Sequence, residues 1–158
     1  MKQLWEFGYA VRALHARLKH GELSRSPLRF LKFEWKIQTA ECHWVARLAD
    51  QWDVDLPPDI RERHASLQAL GDAIVVRRIL FEVLPAIESA TLRVYRVSAR
   101  EPCELIISGE VSREKEPGPN VASVAMRAKL LGFQFSMDDG VLEALQGGER
   151  SLEVTAYK

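Results

Sequence analysis

Three aspartates and one histidine are the residues of this chain whose types and spacing could support chemistry. Asp50, Asp53 and Asp55 lie close together in one segment, and His43 precedes them. Clustered carboxylate oxygens are ligands that Ca²⁺ and Mg²⁺ prefer, and a histidine beside a carboxylate suits acid–base chemistry. The segment lacks the glycine and the distal glutamate of an EF-hand loop, and acidic residues before a helix also favour its dipole. We therefore treat these four residues as candidates for a polar or ligand-binding site, without predicting a bound metal or a catalytic set.

Trp52 lies between two of these aspartates and has two interpretations. A tryptophan in a loop can anchor a partner protein at an interface. It can equally cover the edge of the protein's own core, since its large ring stabilises whatever it packs against. Both interpretations stay open, and Trp52 is therefore a candidate partner contact.

The overall charge and the motif content exclude several classes of function. The 22 basic and 22 acidic residues cancel, so no net field attracts nucleic acid or an anionic membrane. Arg93, Arg96 and Arg100 give one predicted strand a basic edge, but glutamates follow closely along the chain and can pair with them. The sequence contains no phosphate-binding loop, dinucleotide fingerprint or nucleophile elbow. We therefore expect no cofactor, and nucleic acid is not an expected partner.

The apolar runs and the cysteines indicate the compartment. No apolar run approaches the ~18–20 residues that a membrane span requires, and no secretory signal follows Met1. Cys42 and Cys103 do not form a disulfide framework, and neither belongs to a C-x-x-C pair. These features predict a cytoplasmic protein with two reduced thiols and no membrane partner.

The elements that must position the candidate residues begin with an alternating stretch from Leu28 to Leu48. Apolar and polar residues alternate there with one change of phase, which is typical of two strands that each bury one face. A loop centred on Ala40-Glu41 places Glu34 opposite Arg47, an attractive cross-strand pair. The pattern therefore predicts a hairpin in this register, with His43 on its polar face. The residues predicted to lie on the buried face include Trp35, Cys42 and Trp44.

Helical and strand patterns then follow one another along the chain. Apolar residues recur at helical spacing in residues 2–20, 59–85 and 121–131. Alternation in residues 91–97 and 103–111 predicts two more strands, and Asp139-Gly140 is a strong signal for a tight hairpin. The order predicts a single α+β domain over residues 1–158, with a mostly antiparallel sheet and helices packed mainly on one face. Because the strand-strand-helix order occurs twice, residues 22–87 and 88–158 could form two related halves after an N-terminal helix.

Two functions are consistent with these features. A non-catalytic module that binds another protein or a second copy is favoured, because no catalytic motif is found and the apolar stripe of residues 2–20 fits a short dimerisation seam. The segregated charge also suits self-association, since residues 1–36 carry eight basic and three acidic side chains and residues 37–62 carry two and six. The alternative is a small-ligand-binding protein or an enzyme, with a pocket between the helices and the sheet.

Overall fold

The computed structural model describes residues 12–13, 29–47, 55–97, 103–114 and 121–145. Arg12 and Ala13 are helical, and the rest of the predicted helix 2–20, including its dimerisation seam, lies outside the described residues. The elements follow in the order β1 (Arg29–Trp35), β2 (Thr39–Val45), α1 (Pro58–Val83), β3 (Ser89–Arg96), β4 (Glu104–Ser112), α2 (Val124–Leu131), β5 (Phe133–Gln134), β6 (Met137–Asp138) and β7 (Val141–Leu142).

Five of these strands form one sheet in the order β1-β2-β3-β4-β5. Strand β2 runs parallel to β3, from the Thr39–Ser89 pair to the Val45–Tyr95 pair, whereas the other three neighbouring pairs are antiparallel. The α+β class is confirmed, but the prediction of a mostly antiparallel sheet was wrong because the sheet is mixed. The reason is the connection: α1 returns the chain to the starting end of β2, which a parallel neighbour requires.

The β1–β2 hairpin exists, but its predicted register was wrong. The structure pairs Glu34 with Glu41 and Trp35 with Ala40, so the turn precedes β2 and Ile37 at its tip is 79% exposed. The ladder also shifts between Phe30 and Lys32, where a β-bulge changes the phase of β1. Glu34 therefore does not face Arg47, which lies beyond the end of β2.

The core forms between α1 and alternate residues of the central strands. Cys42 and Trp44 are fully buried, as predicted, and Trp35 is partly buried against the same cluster. Each neighbouring strand contributes buried residues at every second position, which is the period of a strand with one face in the core. The strand residues of this cluster include Ala40, Cys42, Trp44, Ala90, Leu92 and Val94, and those of α1 include Leu70, Ala73, Val76 and Leu80.

Helix α1 begins at a proline pair and is bound at its other end by an arginine from a distant part of the chain. Its N-cap is Pro57, followed by Pro58 at the first helical position, and Asp59 lies in the first turn. At the other end the Arg113 side chain donates hydrogen bonds to the carbonyl oxygens of Phe81, Leu84 and Ile87, at 2.8, 2.8 and 3.0 Å. The guanidinium of Arg113 thereby satisfies carbonyls that a helix end leaves without partners.

The predicted Asp139-Gly140 hairpin is confirmed. Strands β6 and β7 pair with two residues between them, and Asp139 and Gly140 have φ values of 53° and 82°. Positive φ at both central positions is what a tight type I′ turn requires. Arg63 of α1 donates to the backbone oxygen and to the carboxylate of Asp139, both at 2.9 Å. The hairpin is therefore held against α1.

Candidate functional site

A cleft of about 450 Å³ lies at the carboxyl ends of the parallel strands β2 and β3. Ala46 and Arg47 line it from the end of β2, and Arg96 and Val97 from the end of β3. The Ala46 amide donates to the Tyr95 carbonyl at 2.7 Å, which continues the parallel ladder to the edge of the cleft. The carboxyl ends of parallel strands are where open α/β sheets bind ligands.

Small side chains of α1 provide the space for this cleft. Ala65, Ser66 and Ala69 line it from the helix, and Ile106 of β4 adds apolar surface from the sheet. Residues spaced by three and four positions lie on one side of a helix, so these short side chains together face the strand ends. Longer side chains at the same positions would fill the volume.

The β6–β7 hairpin forms another wall of the cleft through Val141 and Leu142. The Leu142 amide donates to Ser66 Oγ at 2.9 Å, and Arg96 Nη1 donates to the Leu142 carbonyl at 2.8 Å. Both backbone groups of Leu142 are thus bound by residues that themselves line the cleft. Since Arg63 also binds Asp139, the wall is attached to both α1 and β3.

An ion pair between Arg47 and Asp72 connects the end of β2 with the middle of α1. Arg47 Nε and Nη2 donate to the two carboxylate oxygens of Asp72 at 2.7 and 2.8 Å. Asp72 is buried, and the Arg47 side chain is 13% exposed. Burial raises the pKa of Asp72 above its usual value, although the hydrogen bond and the positive charge of Arg47 act in the opposite direction. The carboxylate therefore orients Arg47 at an energetic cost.

A second arginine of the cleft is bound by a neighbouring strand. Arg96 Nε donates to Glu104 Oε1 at 2.8 Å, and Nη2 contacts the same oxygen. Arg96 and Glu104 are opposite residues of the antiparallel β3–β4 pair. The pairing of Arg96 with a following glutamate agrees with the sequence-based expectation that these strands neutralise their own basic edge. Glu62, an exposed residue of α1, adds one more carboxylate to the lining.

A separate polar cluster surrounds His43 on strand β2. His43 Nε2 lies 2.7 Å from Glu41 Oε2, and Lys32 Nζ lies 3.2 Å from the same oxygen. The rings of His43 and Tyr95 have centroids 6.0 Å apart. The side chain of His43 has no exposed area. Alternation along β2 sets His43 on the opposite side of the strand from the core residues Cys42 and Trp44.

The charges of this cluster determine the ionisation of its carboxylate. Burial would raise the pKa of Glu41, but the hydrogen bond from Lys32 and the charges of His43 and Lys32 outweigh it, so the pKa is lowered. Beside it, burial raises the pKa of the Cys42 thiol, which disfavours the reactive thiolate. The cluster therefore stabilises a carboxylate, while Cys42, in the core on the other side of β2, is a buried thiol and not a reactive thiolate.

Of the candidate residues that the sequence singled out, the structure describes His43 and Asp55, and they lie in different surroundings. Asp55 is exposed in the turn before α1, and His43 is paired with Glu41. Asp50, Trp52 and Asp53 lie outside the described residues, so the proposals made for them stay predictions. Among the described residues, no three histidine, cysteine, aspartate or glutamate side chains are grouped as metal ligands would be.

The cleft residues were missed for a definite reason. Arg47 follows β2 and Asp72 lies in α1, 25 residues further along the chain, so their contact depends on how the helix packs on the sheet. A signal was nevertheless present in the sequence: Ala65, Ser66 and Ala69 repeat short side chains on one side of a helix. Arg96 also stands where the alternation of β3 calls for an apolar residue, and this interruption marks the end of the buried part of the strand.

Comparison of the chain with protein-family models, with curated proteins and with solved structures gives no match. No helix within the described ranges combines the length and the apolar character needed to cross a membrane.

Proposed function

We propose that this protein binds a small molecule in the cleft at the carboxyl ends of β2 and β3. The observation that carries the proposal is the cleft itself: its volume of about 450 Å³ suits a small ligand, and apolar walls surround a few polar groups. Ala65, Ala69 and Ile106 supply apolar surface, while Arg47 and Arg96 supply fixed hydrogen-bond donors. We also propose that the helices pack mainly on one face of the sheet and that the protein is cytoplasmic.

The site differs from the pocket that the sequence suggested. It lies between helix and sheet, as expected of a ligand-binding protein, but it is lined by Arg47 and Arg96 instead of His43 and Asp55. Binding of another protein or a second copy remains a prediction from the sequence, since the seam in residues 2–20 and Trp52 are outside the described residues.

A fragment screen with a cleft-filling variant tests the proposal. Thermal-shift measurements would be made with a library of small organic molecules on the wild type, on Ala65→Phe, and on Ala122→Phe as an exposed control. A fragment at 100 times its Kd raises the free energy of unfolding by about 2.7 kcal/mol. We expect fragments that stabilise the wild type and Ala122→Phe to lose their effect on Ala65→Phe.

The proposal is rejected if no fragment stabilises the wild type, or if the stabilising fragments act equally on Ala65→Phe. The melting temperatures of both variants without fragments show whether either substitution unfolds the protein. If Ala65→Phe proves unstable, amide chemical shifts of the wild type replace it, and the shifts must then localise to residues around Ala46, Ala65 and Val141.

A further inference from the structure

We infer that the ligand of the cleft carries a carboxylate, and that Arg47 binds this group through the free edge of its guanidinium. The inference rests on the proposed function and gives it a chemical class: small organic acids with an apolar body. Three observations support this inference: the hydrogen bonds between Arg47 and Asp72, the charges around the cleft, and the apolar walls of the cleft.

Asp72 occupies only one edge of the Arg47 guanidinium. The bonds from Nε and Nη2 to the two oxygens of Asp72 use the side edge of the planar group. A guanidinium has five N–H donors, and its end edge presents one N–H from each of Nη1 and Nη2 in parallel. In the part of the chain that the structure describes, Arg47 makes no other hydrogen bond. The end edge is therefore available to a second bidentate acceptor.

The bidentate geometry favours a carboxylate over a neutral acceptor. Two parallel N–H groups match the two oxygens of a carboxylate, and such charge-assisted bonds are roughly twice as strong as neutral ones. A carbonyl or an amide offers one oxygen and no charge. Asp72 also restrains Arg47 before the ligand arrives, so less conformational freedom is lost on binding. Asp72 is thus a positioning residue, because it acts on the ligand only through Arg47.

The surrounding charges favour one negative charge over two. Arg47 is paired with Asp72, Arg96 is paired with Glu104, and Glu62 adds a further carboxylate to the lining. The cleft therefore has no excess of positive charge with which to neutralise a phosphate dianion. A monocarboxylate needs only the two N–H donors of Arg47. Its apolar body then has surface to cover, provided by Ala65 and Val141 among others.

Matched probes test the chemical class directly on the wild-type protein. The probes are 3-phenylpropionate, its uncharged analogue 3-phenylpropionamide, and phenyl phosphate, each titrated into the full chain and followed by ¹H–¹⁵N NMR. We expect 3-phenylpropionate to shift the amides of residues that line the cleft, and to bind about tenfold more tightly than the amide or the phosphate. This comparison requires no substitution, so it does not depend on a variant that folds.

Two arginine variants then assign the effect to Arg47. Arg47→Lys keeps the positive charge but loses the planar fork, and Arg127→Lys makes the same change at an exposed position of α2. We expect Arg47→Lys to abolish the preference for 3-phenylpropionate over the amide, and Arg127→Lys to retain it. A substitution that only loosened the structure would weaken both probes equally and leave their ratio unchanged.

The possible failures are distinguishable. Equal binding of acid and amide to the wild type, or tighter binding of phenyl phosphate, overturns the carboxylate inference and leaves the cleft as a ligand site. An unchanged acid-to-amide ratio in Arg47→Lys overturns the role of Arg47. If none of the three probes shifts a cleft residue at millimolar concentration, the carboxylate inference fails, and the fragment screen then decides separately whether the cleft binds anything.

Discussion

Arg47 and Asp72 form a bidentate ion pair across the cleft end of the sheet, although burial raises the pKa of this aspartate. The two observations together mean that Asp72 loses more by desolvation than it gains from Arg47. A buried carboxylate of this kind is weak evidence for stability. Its clearest structural effect is to hold the guanidinium of Arg47 in one orientation beside the cleft, which agrees with the function proposed for that residue.

The pH dependence of stability should reveal this cost. The pKa of Asp72 is higher in the folded protein than its usual 3.8. Between these two pKa values, the folded state therefore binds more protons than the unfolded state does. The free energy of unfolding contributed by Asp72 therefore falls with rising pH over that interval. Chemical denaturation of the wild type and Asp72→Asn at a series of pH values should show the wild type losing stability relative to the variant. A difference that grows in favour of the wild type would contradict the raised pKa.

Glu41 should show the opposite dependence. Its pKa is lowered from 4.5, because the hydrogen bond from Lys32 and the charges of His43 and Lys32 outweigh burial. Its stabilisation is therefore fully present above about pH 4.5 and is lost as the pH falls through the folded pKa. Glu41→Gln should be less stable than the wild type at neutral pH, and the difference should disappear in acid. Glu88→Gln makes the same change at an exposed position and serves as the control for the loss of one carboxylate.

Arg113 should contribute to stability because it binds the end of α1. Its guanidinium bonds to the carbonyls of Phe81, Leu84 and Ile87, and it lies 4.9 Å from the centroid of the Phe81 ring. Leaving such acceptors without partners costs roughly 1–3 kcal/mol, so Arg113→Ala should lower the free energy of unfolding by that amount. Urea denaturation at constant pH measures it. Arg127→Ala, at an exposed position, should change stability by less than about 0.5 kcal/mol, and an equal loss in both variants would refute the capping role.

Much of the fold could be predicted from local patterns. The buried Cys42 and Trp44 follow from the alternation of β2, and the Asp139-Gly140 turn follows from the need for two positive φ values. The β1–β2 register was mispredicted because the turn lies before β2, where the Lys36 amide donates to the Thr39 carbonyl, and not at Ala40-Glu41. The sequence does not mark this turn, because Ile37 continues the apolar alternation of β1 and no Asn-Gly or Gly-X pair is present.

The candidate site was less predictable than the fold. Within the sequence, the residues of suitable chemistry that lie near one another are His43 and the aspartates that follow it. The cleft instead combines the ends of β2 and β3 with α1, so its lining depends on a parallel crossover and on how α1 packs on the sheet. Strand direction in a sheet is a property of the tertiary structure, so the alternation of β2 and β3 does not reveal whether they run parallel. Alternation likewise assigns His43 to the side of β2 opposite Cys42 and Trp44, but it does not reveal that this side is covered.

Two glycine-to-alanine substitutions should have opposite effects on stability. A Cβ on Gly109 of β4 would lie 2.9 Å from the Gly132 carbonyl oxygen and 3.0 Å from Phe133 Cα, which are backbone atoms at the start of β5. Gly109→Ala should therefore separate β5 from β4 and cost roughly 1–3 kcal/mol, as overpacking does. A Cβ on Gly71 meets nothing within 4 Å and lies inside α1, so Gly71→Ala should stabilise the protein by roughly 0.5–1 kcal/mol.

Thermal denaturation of both variants gives the signs, and amide hydrogen exchange locates the damage. In Gly109→Ala, exchange should accelerate at Gln134 and Ser108, which pair across the β4–β5 ladder, before it accelerates in β2 or β3. If Gly109→Ala is as stable as the wild type, Gly132 can move away from the added Cβ. The close approach of Gly132 to β4 would then not be the reason for a glycine at position 109. A loss in Gly71→Ala would show that α1 is not a regular helix at Gly71, since only a strained backbone makes alanine worse than glycine there.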